Sequence, residues 1–370
     1  MACSRVASGA VLGLCVLAAS GCGSSASDAS GGAGAGGTMP AAGSGSSGAP
    51  LGSAGDMAVG GAPDNAAGAG GAQVGTAGAG GASDGFWDPS NIPAAKNVMM
   101  FKFLNRTNGK YTDDKIFWSF KSKSLNEVHS FKDQPLYDMP ANASGRLYFY
   151  LEAPDSKYYD FIEFTIGPTV FNGNTTRVDA FGLKVAMRMH CADGFDVSVG
   201  EDLATFMEDR AVTFQKFQDG APAEFKDLAV RTAPYRIEEP GSDGFNAGGM
   251  YATYYDSFIN ELWSANGLTI TKPGPNGSGL GAFPDISAAI FRHVGASAGT
   301  FSADGKLLNK TLWADASTFY KTAPSDYYAQ FWHAHAINGK AYGFPYDDVG
   351  GYSSYISHNN PQYLEIAVGW

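Results

Sequence analysis

Apolar side chains recur in short runs, many of them at every second position, between residues 86 and 189. Val98-Met99-Met100-Phe101-Lys102-Phe103, Lys115-Ile116-Phe117-Trp118-Ser119-Phe120 and Arg146-Leu147-Tyr148-Phe149-Tyr150-Leu151 are aromatic or β-branched, and Asn, Gly, Asp and Pro bound them. Such runs read as strands, and strands at this spacing predict a sandwich or a barrel. The middle of the chain changes period. Residues 201–210 and 251–266 read as helices; in the second, Tyr254, Phe258 and Leu262 follow an i, i+4, i+8 stripe with Tyr255, Ile259 and Trp263 beside it. Residues 285–294 and 315–321 read as further short helices, and the Pro- and Gly-rich stretch 272–281 as a loop. Residues 340–344 and 363–368 return to strand character. The simplest arrangement is β-rich and two-lobed: a β-sandwich or barrel of residues 86–199 and 336–370, with a mixed α/β lobe of about 200–335 inserted in it.

The N-terminal part follows a different logic. Met1 to Arg5 carry one positive charge, and an apolar run from Val6 to Ala19 follows, too short for the roughly 20 residues a bilayer span needs. It ends in Ala19-Ser20-Gly21-Cys22, which resembles a bacterial lipobox with Ala19 in place of the usual Leu. Residues 1–22 are therefore expected to be a lipoprotein signal peptide with Cys22 as the acylated residue. The alternative is an ordinary signal peptide cleaved near the same place. Both export the chain, and the anchor implies an outer-membrane or cell-surface location with lipid as the only membrane contact. Residues 23–85 form a Gly/Ala/Ser-rich tether; between Gly23 and Ser83 there is no Lys or Arg, and the only acids are Asp28, Asp56 and Asp64. Such a segment buries too little apolar surface to offset its ordering entropy.

Composition narrows the function classes. Cys3 and Cys15 lie in the signal and Cys22 at its end, so Cys191 alone remains, and no internal disulfide can form. The net charge of −11 is thinly spread, since 16% of residues are charged, and no basic patch for nucleic acid appears. The 13% aromatic content in so uncharged a chain suits a neutral polymer such as polysaccharide. A monomer is expected.

The stretch Asp160-Phe161-Ile162-Glu163-Phe164-Thr165-Ile166 carries the candidate chemistry. On a strand, Ile162, Phe164 and Ile166 share one face, and Phe161, Glu163 and Thr165 the other. Sixteen positions after Glu163, Asp179 lies in Thr176-Arg177-Val178-Asp179-Ala180-Phe181, which also reads as a strand. The turn-rich residues 167–174 separate the two. A hairpin centred near Phe171 would set Glu163 and Asp179 opposite or nearly so on one face. Like charges so placed would destabilise a purely structural sheet, and they are what glycoside hydrolysis requires.

Glu163-Phe164-Thr165, the Asn-containing loop, and Val178-Asp179 with Gly182-Leu183 resemble the catalytic region of glycoside hydrolase family 64, laminaripentaose-producing β-1,3-glucanases of thaumatin-like fold. Tyr255-Asp256-Ser257-Phe258-Ile259-Asn260-Glu261-Leu262-Trp263 is similar to the family's helix in its second lobe. Ala341-Tyr342-Gly343-Phe344-Pro345-Tyr346-Asp347-Asp348-Val349, followed by Ile366-Ala367-Val368-Gly369, is similar to its C-terminal signature. The resemblance spans residues 86–370. It implies a thaumatin-like sandwich or barrel whose cleft takes β-1,3-glucan. It also implies inverting hydrolysis with Glu163 as general acid and Asp179 as general base, and Thr165 and Thr176 contacting glucan; acid–base chemistry suffices for this, so no cofactor or metal is expected. The family's sugar-binding Asn and Trp near Gly167 and Asn172 are not retained. The rival expectation is a non-catalytic glucan- or wall-binding lectin of the same fold, though a lectin has no need of two facing acids.

Three other motifs need a place. Gly295-Ala296-Ser297-Ala298-Gly299 matches a nucleophile elbow, but it follows a helix and does not join a strand to one, which disfavours an esterase. His333-Ala334-His335 would present two imidazoles on one face of a strand, with no third ligand at suggestive spacing, so packing or hydrogen bonding is favoured over metal. Asp347-Asp348 is expected to be structural or to line the groove.

Overall fold

The computed structural model describes residues 85–122, 125–242 and 244–370. The signal, Cys22 and the tether up to residue 84 lie outside the described residues. Among the described residues thirteen strands run in chain order: β1 Met99–Arg106, β2 Ile116–Lys121, β3 Asn126–Ser130, β4 Leu136–Met139, β5 Ser144–Leu151, β6 Tyr159–Ile166 and β7 Val170–Thr175. There follow β8 Ala180–Phe181, β9 Lys184–Cys191, β10 Asp196–Gly200, β11 Ile237–Glu238, β12 Tyr355–Asn359 and β13 Pro361–Gly369. The helices are α1 Leu203–Met207, α2 Arg210–Gly220, α3 Ala223–Lys226, α4 Asp256–Asn266, α5 Pro284–Arg292 and α6 Tyr327–Ala334.

Alternation builds a sandwich. One sheet has the order β10-β9-β13-β1-β4 and the other β12-β7-β6-β5-β2-β3. Their facing residues merge into one core: Phe101, Phe103, Met187 and Ile366 from the first, Trp118, Phe149, Phe164 and Phe171 from the second. Phe103 stacks on Trp118 at 4.9 Å and Phe101 meets Phe164 edge-on at 5.3 Å. Burying each such ring contributes about 2–3 kcal/mol. Neither sheet closes on itself, so of the two β architectures expected, the sandwich is the one formed.

A second core lies in the helical region, where Phe217, Leu262, Ile286, Tyr328 and Trp332 pack with Phe181 of β8 and Ile237 of β11. In α4 the expected stripe is present at Phe258, Ile259, Leu262 and Trp263, and Gly267 ends the helix in the left-handed region (φ 62°). Several expectations are corrected. Residues 201–210 are two helices broken at Glu208, which is extended. Residues 251–255 are turns, and residues 315–321 hold only the 3-10 turn Ala316–Thr318. Residues 340–344 are not a strand, and the first strand of the C-terminal part is β12, from Tyr355. Residues 176–179 are not a strand either.

The last departure has a physical cause, because Arg177 turns inward. Its Nη1 donates to Asp160 Oδ2 at 2.9 Å, and its Nε and Nη2 donate to Glu201 Oε1 and Oε2 at 2.7 Å each. Burial opposes the charge, but the two carboxylates outweigh it and hold the guanidinium above its ordinary value. Asp160 also accepts from the backbone N–H groups of Phe161, Gly182 and Leu183. The close approach there demands Gly182, since a Cβ would lie 1.9 Å from the Tyr159 carbonyl oxygen. Removing Arg177 strands two buried carboxylates. Arg177→Met is expected to lower the unfolding free energy by roughly 3–5 kcal/mol in urea titration; a loss under about 1 kcal/mol would mean the network contributes little.

Candidate functional site

The pleat of β6 turns Glu163 and Thr165 to the outer face of the six-stranded sheet, half-buried, while Ile162, Phe164 and Ile166 enter the core. Across the ladders Glu163 lies between Arg146 of β5 and Asn174 of β7, and Thr165 between Ser144 and Asn172. Asp179 is not opposite Glu163. The hairpin turns at residues 167–169, so its strands end before Asp179, which sits in the bend between β7 and β8. The two acids converge all the same, through a residue the sequence reading left unassigned. Arg146 Nε donates to Glu163 Oε1 at 2.8 Å, and its Nη1 donates to Asp179 Oδ2 at 2.6 Å. The guanidinium lies 4.2 Å over the Phe161 ring. Burial would lower its proton affinity, but Asp179 and Glu163 outweigh that and raise it. The three side chains remain open to solvent, with 32%, 31% and 41% exposure for Arg146, Glu163 and Asp179. A carboxylate pair spanned by one cation on an open face can serve acid–base chemistry on a bound neutral ligand.

The other expected contacts divide. Thr165 Oγ1 shares a 2.9 Å hydrogen bond with Ser144 Oγ on the open face. Thr176 is buried, and its hydroxyl accepts from Val178 N at 3.2 Å, bracing the bend that carries Asp179. Two further groups border the acids. The β8–β11 ladder pairs Ala180 with Glu238, so Glu239 follows beside Asp179. Burial pushes the Glu239 carboxyl up to about 7 against hydrogen bonds from Ser242 and Gly241, with the Asp179 charge adding to the rise. Tyr342 accepts from Arg177 N through its carbonyl at 2.8 Å; burial raises its phenol, with Asp348, Asp347 and Glu163 contributing. For Arg146 the signal was available, since a basic residue shares the outward phase of Tyr148 and Tyr150. For Glu239 and Tyr342 local sequence holds none.

The remaining motifs are structural in their surroundings. His333 and His335 lie on and just after α6, not on a strand. His335 stacks on Phe331 at 4.0 Å and bonds the Phe331 carbonyl. Ser297 lies in an exposed turn after α5, not at a strand-to-helix elbow. Among the described residues no group of three or more His, Cys, Asp or Glu is arranged to hold a metal ion.

A family model described as beta-1,3-glucanase, that of glycoside hydrolase family 64, matches residues 151–283 and 282–368, a span containing Glu163, Arg177 and Asp179. The chain belongs to glycoside hydrolase family 64. It is 26% identical over 256 residues to a glucan endo-1,3-beta-glucosidase of Arthrobacter sp. (strain YCWD3), and 26% identical over 253 residues to one of Cellulosimicrobium cellulans. Each match covers 57% of this chain and 45% of the relative, so the chain spans about half the length of these curated relatives. Among solved structures it is similar to the family 64 laminaripentaose-producing beta-1,3-glucanase from Paenibacillus barengoltzii, with a TM-score of 0.62 and 28% identity over 77% of this chain and 78% of that one. The same enzyme complexed with laminarihexaose matches equally, over 76% and 78%.

Within this family 64 chain the C-terminal signature is held by a buried network. Asp347, fully buried, accepts from Arg292 Nη2 at 2.9 Å, Gly343 N at 2.8 Å and His333 Nε2 at 3.0 Å; His333 Nδ1 meets the Gly339 carbonyl. Burial lowers the His333 proton affinity, but Asp347 outweighs burial and raises it. With the folded-state value raised, the pairing stabilises the protein fully below about pH 6.5, the ordinary imidazole value. That contribution is lost as pH rises through the higher folded value. His333→Gln is expected to destabilise by roughly 1–3 kcal/mol at pH 6, with the gap from wild type narrowing above neutrality. Melting curves across pH check this, and a pH-independent gap would contradict it.

Proposed function

We propose that this chain hydrolyses β-1,3-glucan with inversion, Glu163 acting as general acid and Asp179 as general base. Two observations support the reading: membership of family 64, and the Arg146 bridge that draws together two carboxylates from segments that do not pair. The bridge carries it. Glu163 protonates the glycosidic oxygen as the bond to the anomeric carbon breaks, and Asp179 takes a proton from the water that attacks the opposite face. Arg146 between the carboxyls replaces the approach of about 5 Å that direct opposition would force, and an inverting pair needs such room for its water. Inversion itself is carried by the family resemblance.

The glucan lies along the outer face of the six-stranded sheet, where Thr165 meets it, while Thr176 shapes the bend. The sandwich with its helical insertion is read as the thaumatin-like, two-lobed form of the family. The enzyme acts as a monomer outside the cell, held by lipid at Cys22 and extended by the tether of residues 23–85, which suits an insoluble polymer.

Glu163→Gln and Asp179→Asn are each expected to lower laminarin hydrolysis at least about a hundredfold while glucan binding persists, measured by reducing-sugar release and pull-down on curdlan. Full activity in either variant overturns the assignment. Binding without release by the wild type would favour the lectin, and proton NMR of the first product reads the anomeric configuration.

A further inference from the structure

Asn174 is 8% exposed, and its side-chain oxygen Oδ1 is buried with no hydrogen-bond partner. Its neighbour two positions earlier differs sharply: Asn172 Oδ1 accepts from both Tyr355 Oη, at 2.9 Å, and Ser357 Oγ, at 2.7 Å. A buried acceptor left unmade is costly, and such a group needs an explanation. Asn174 pairs directly with Glu163 across the β6–β7 ladder, and opposed side chains on one face have Cβ atoms about 5 Å apart. On its other side the ladder partner is Tyr355, whose hydroxyl is committed to Asn172. The Glu163 carboxyl is half engaged: Arg146 Nε takes Oε1, and Oε2 has no hydrogen bond among the described residues.

We infer that Asn174 is a positioning residue for the general acid: its amide oxygen accepts the O–H of Glu163 Oε2 and keeps the proton on the carboxyl in the free enzyme. The inference rests on Glu163 being the acid. It resolves a conflict within the site, because an arginine contact favours an ionised carboxylate, whereas a general acid must begin protonated. A hydrogen bond made only to the neutral form acts in the opposite sense. When glucan binds, the O–H rotates about its C–O bond from the amide to the glycosidic oxygen. The proton then passes to that oxygen as the glycosidic bond breaks, leaving Glu163 ionised against Arg146. The groups facing Glu163 are Arg146 from β5, Asp179 from the bend, and Tyr342 from the loop before β12. None of them supplies a neutral acceptor on the β7 side.

The test is the pH dependence of kcat/KM on soluble laminarin, which reports the free enzyme. Asn174→Ala should move the alkaline limb to lower pH by about one unit, the worth of one ordinary hydrogen bond, with KM at the acid optimum unchanged. Asn174→Asp, nearly isosteric, retains an acceptor and adds negative charge, so it should move the limb to higher pH. Melting temperatures identify a variant that has merely failed to fold, and the second variant then carries the test. An alkaline limb unmoved in both overturns the inference, as does movement in the same direction. A rise in KM alone would assign Asn174 to a glucan hydroxyl instead and also overturns it. Should Glu163→Gln stay active, the catalytic reading fails; should it be inactive while the limb does not move, only the role of Asn174 fails.

Discussion

The placement of Asp179 depends on one buried guanidinium. Arg177 joins Asp160, at the start of the strand that carries Glu163, to Glu201, at the exit from the sandwich toward the helices. Its own backbone is fixed from the other side, N–H to the Tyr342 carbonyl and carbonyl to the Tyr328 hydroxyl. Ion pairs this dry seldom add net stability compared with apolar packing, since desolvation offsets most of the attraction. What they do supply is direction. A guanidinium offers donors in a fixed planar fork, and here that fork holds residues 176–183 away from the β6–β7 hairpin and past the start of β6, where Gly182 lies against Tyr159. Asp179 lies on that detour, two residues beyond Arg177.

A simple hairpin would have produced a worse site. Carboxylates directly opposed on paired strands repel at about 5 Å and leave no space for a third group. Departure of the chain at Thr175 lets Asp179 approach from the side, and Arg146 fits between the acids, anchored on the Phe161 ring. The same detour brings Glu239 next to Asp179 through the short β8–β11 ladder. Strand pairing, the buried triad and the exposed ion bridge are thus successive consequences of where one arginine is buried.

That history explains what was legible in the sequence. Period-two alternation identified β2, β5 and β6 and the outward face of Glu163, because half-buried strands declare their faces locally. The α4 stripe was equally plain. Residues 176–181, β-branched and aromatic at either end, carry strand propensity, yet a tertiary ion pair overrode it at 176–179 and left only Ala180–Phe181 as strand. The turn was placed near Phe171 and forms at Gly167-Pro168-Thr169; Phe171 is instead a core residue, stacked 6.3 Å from Phe164. His333 and His335 would share one face if their segment were a strand, but Asp326 caps a helix there by accepting from Ala329 N, and α6 places His333 over Asp347. Residues 340–344 looked like a strand because the segment is aromatic and flanked by turn residues, while its backbone is in fact held by Arg177 and Asp347. For residues 176–179 and 340–344 the information lies in a buried charge or in a partner far along the chain.

The outer face of the sheet also restricts what the acids can act upon. Around them lie two hydrogen-bonded sets, Ser144 with Thr165 at 2.9 Å, and Asn172 with Tyr355 and Ser357 at 2.9 and 2.7 Å. Such a surface offers hydrogen bonds in both directions, which suits a neutral polyhydroxylated chain. On the proposed division of labour the charged centre is balanced too: with Glu163 protonated, Arg146 and Asp179 form a one-to-one pair. The site is then neutral when a neutral glucan arrives and gains no charge on binding it. As the glycosidic bond breaks, positive charge develops at the anomeric carbon while Glu163 becomes negative, and each finds an opposite charge already in position. With both acids ionised, the same residues would have no proton to give.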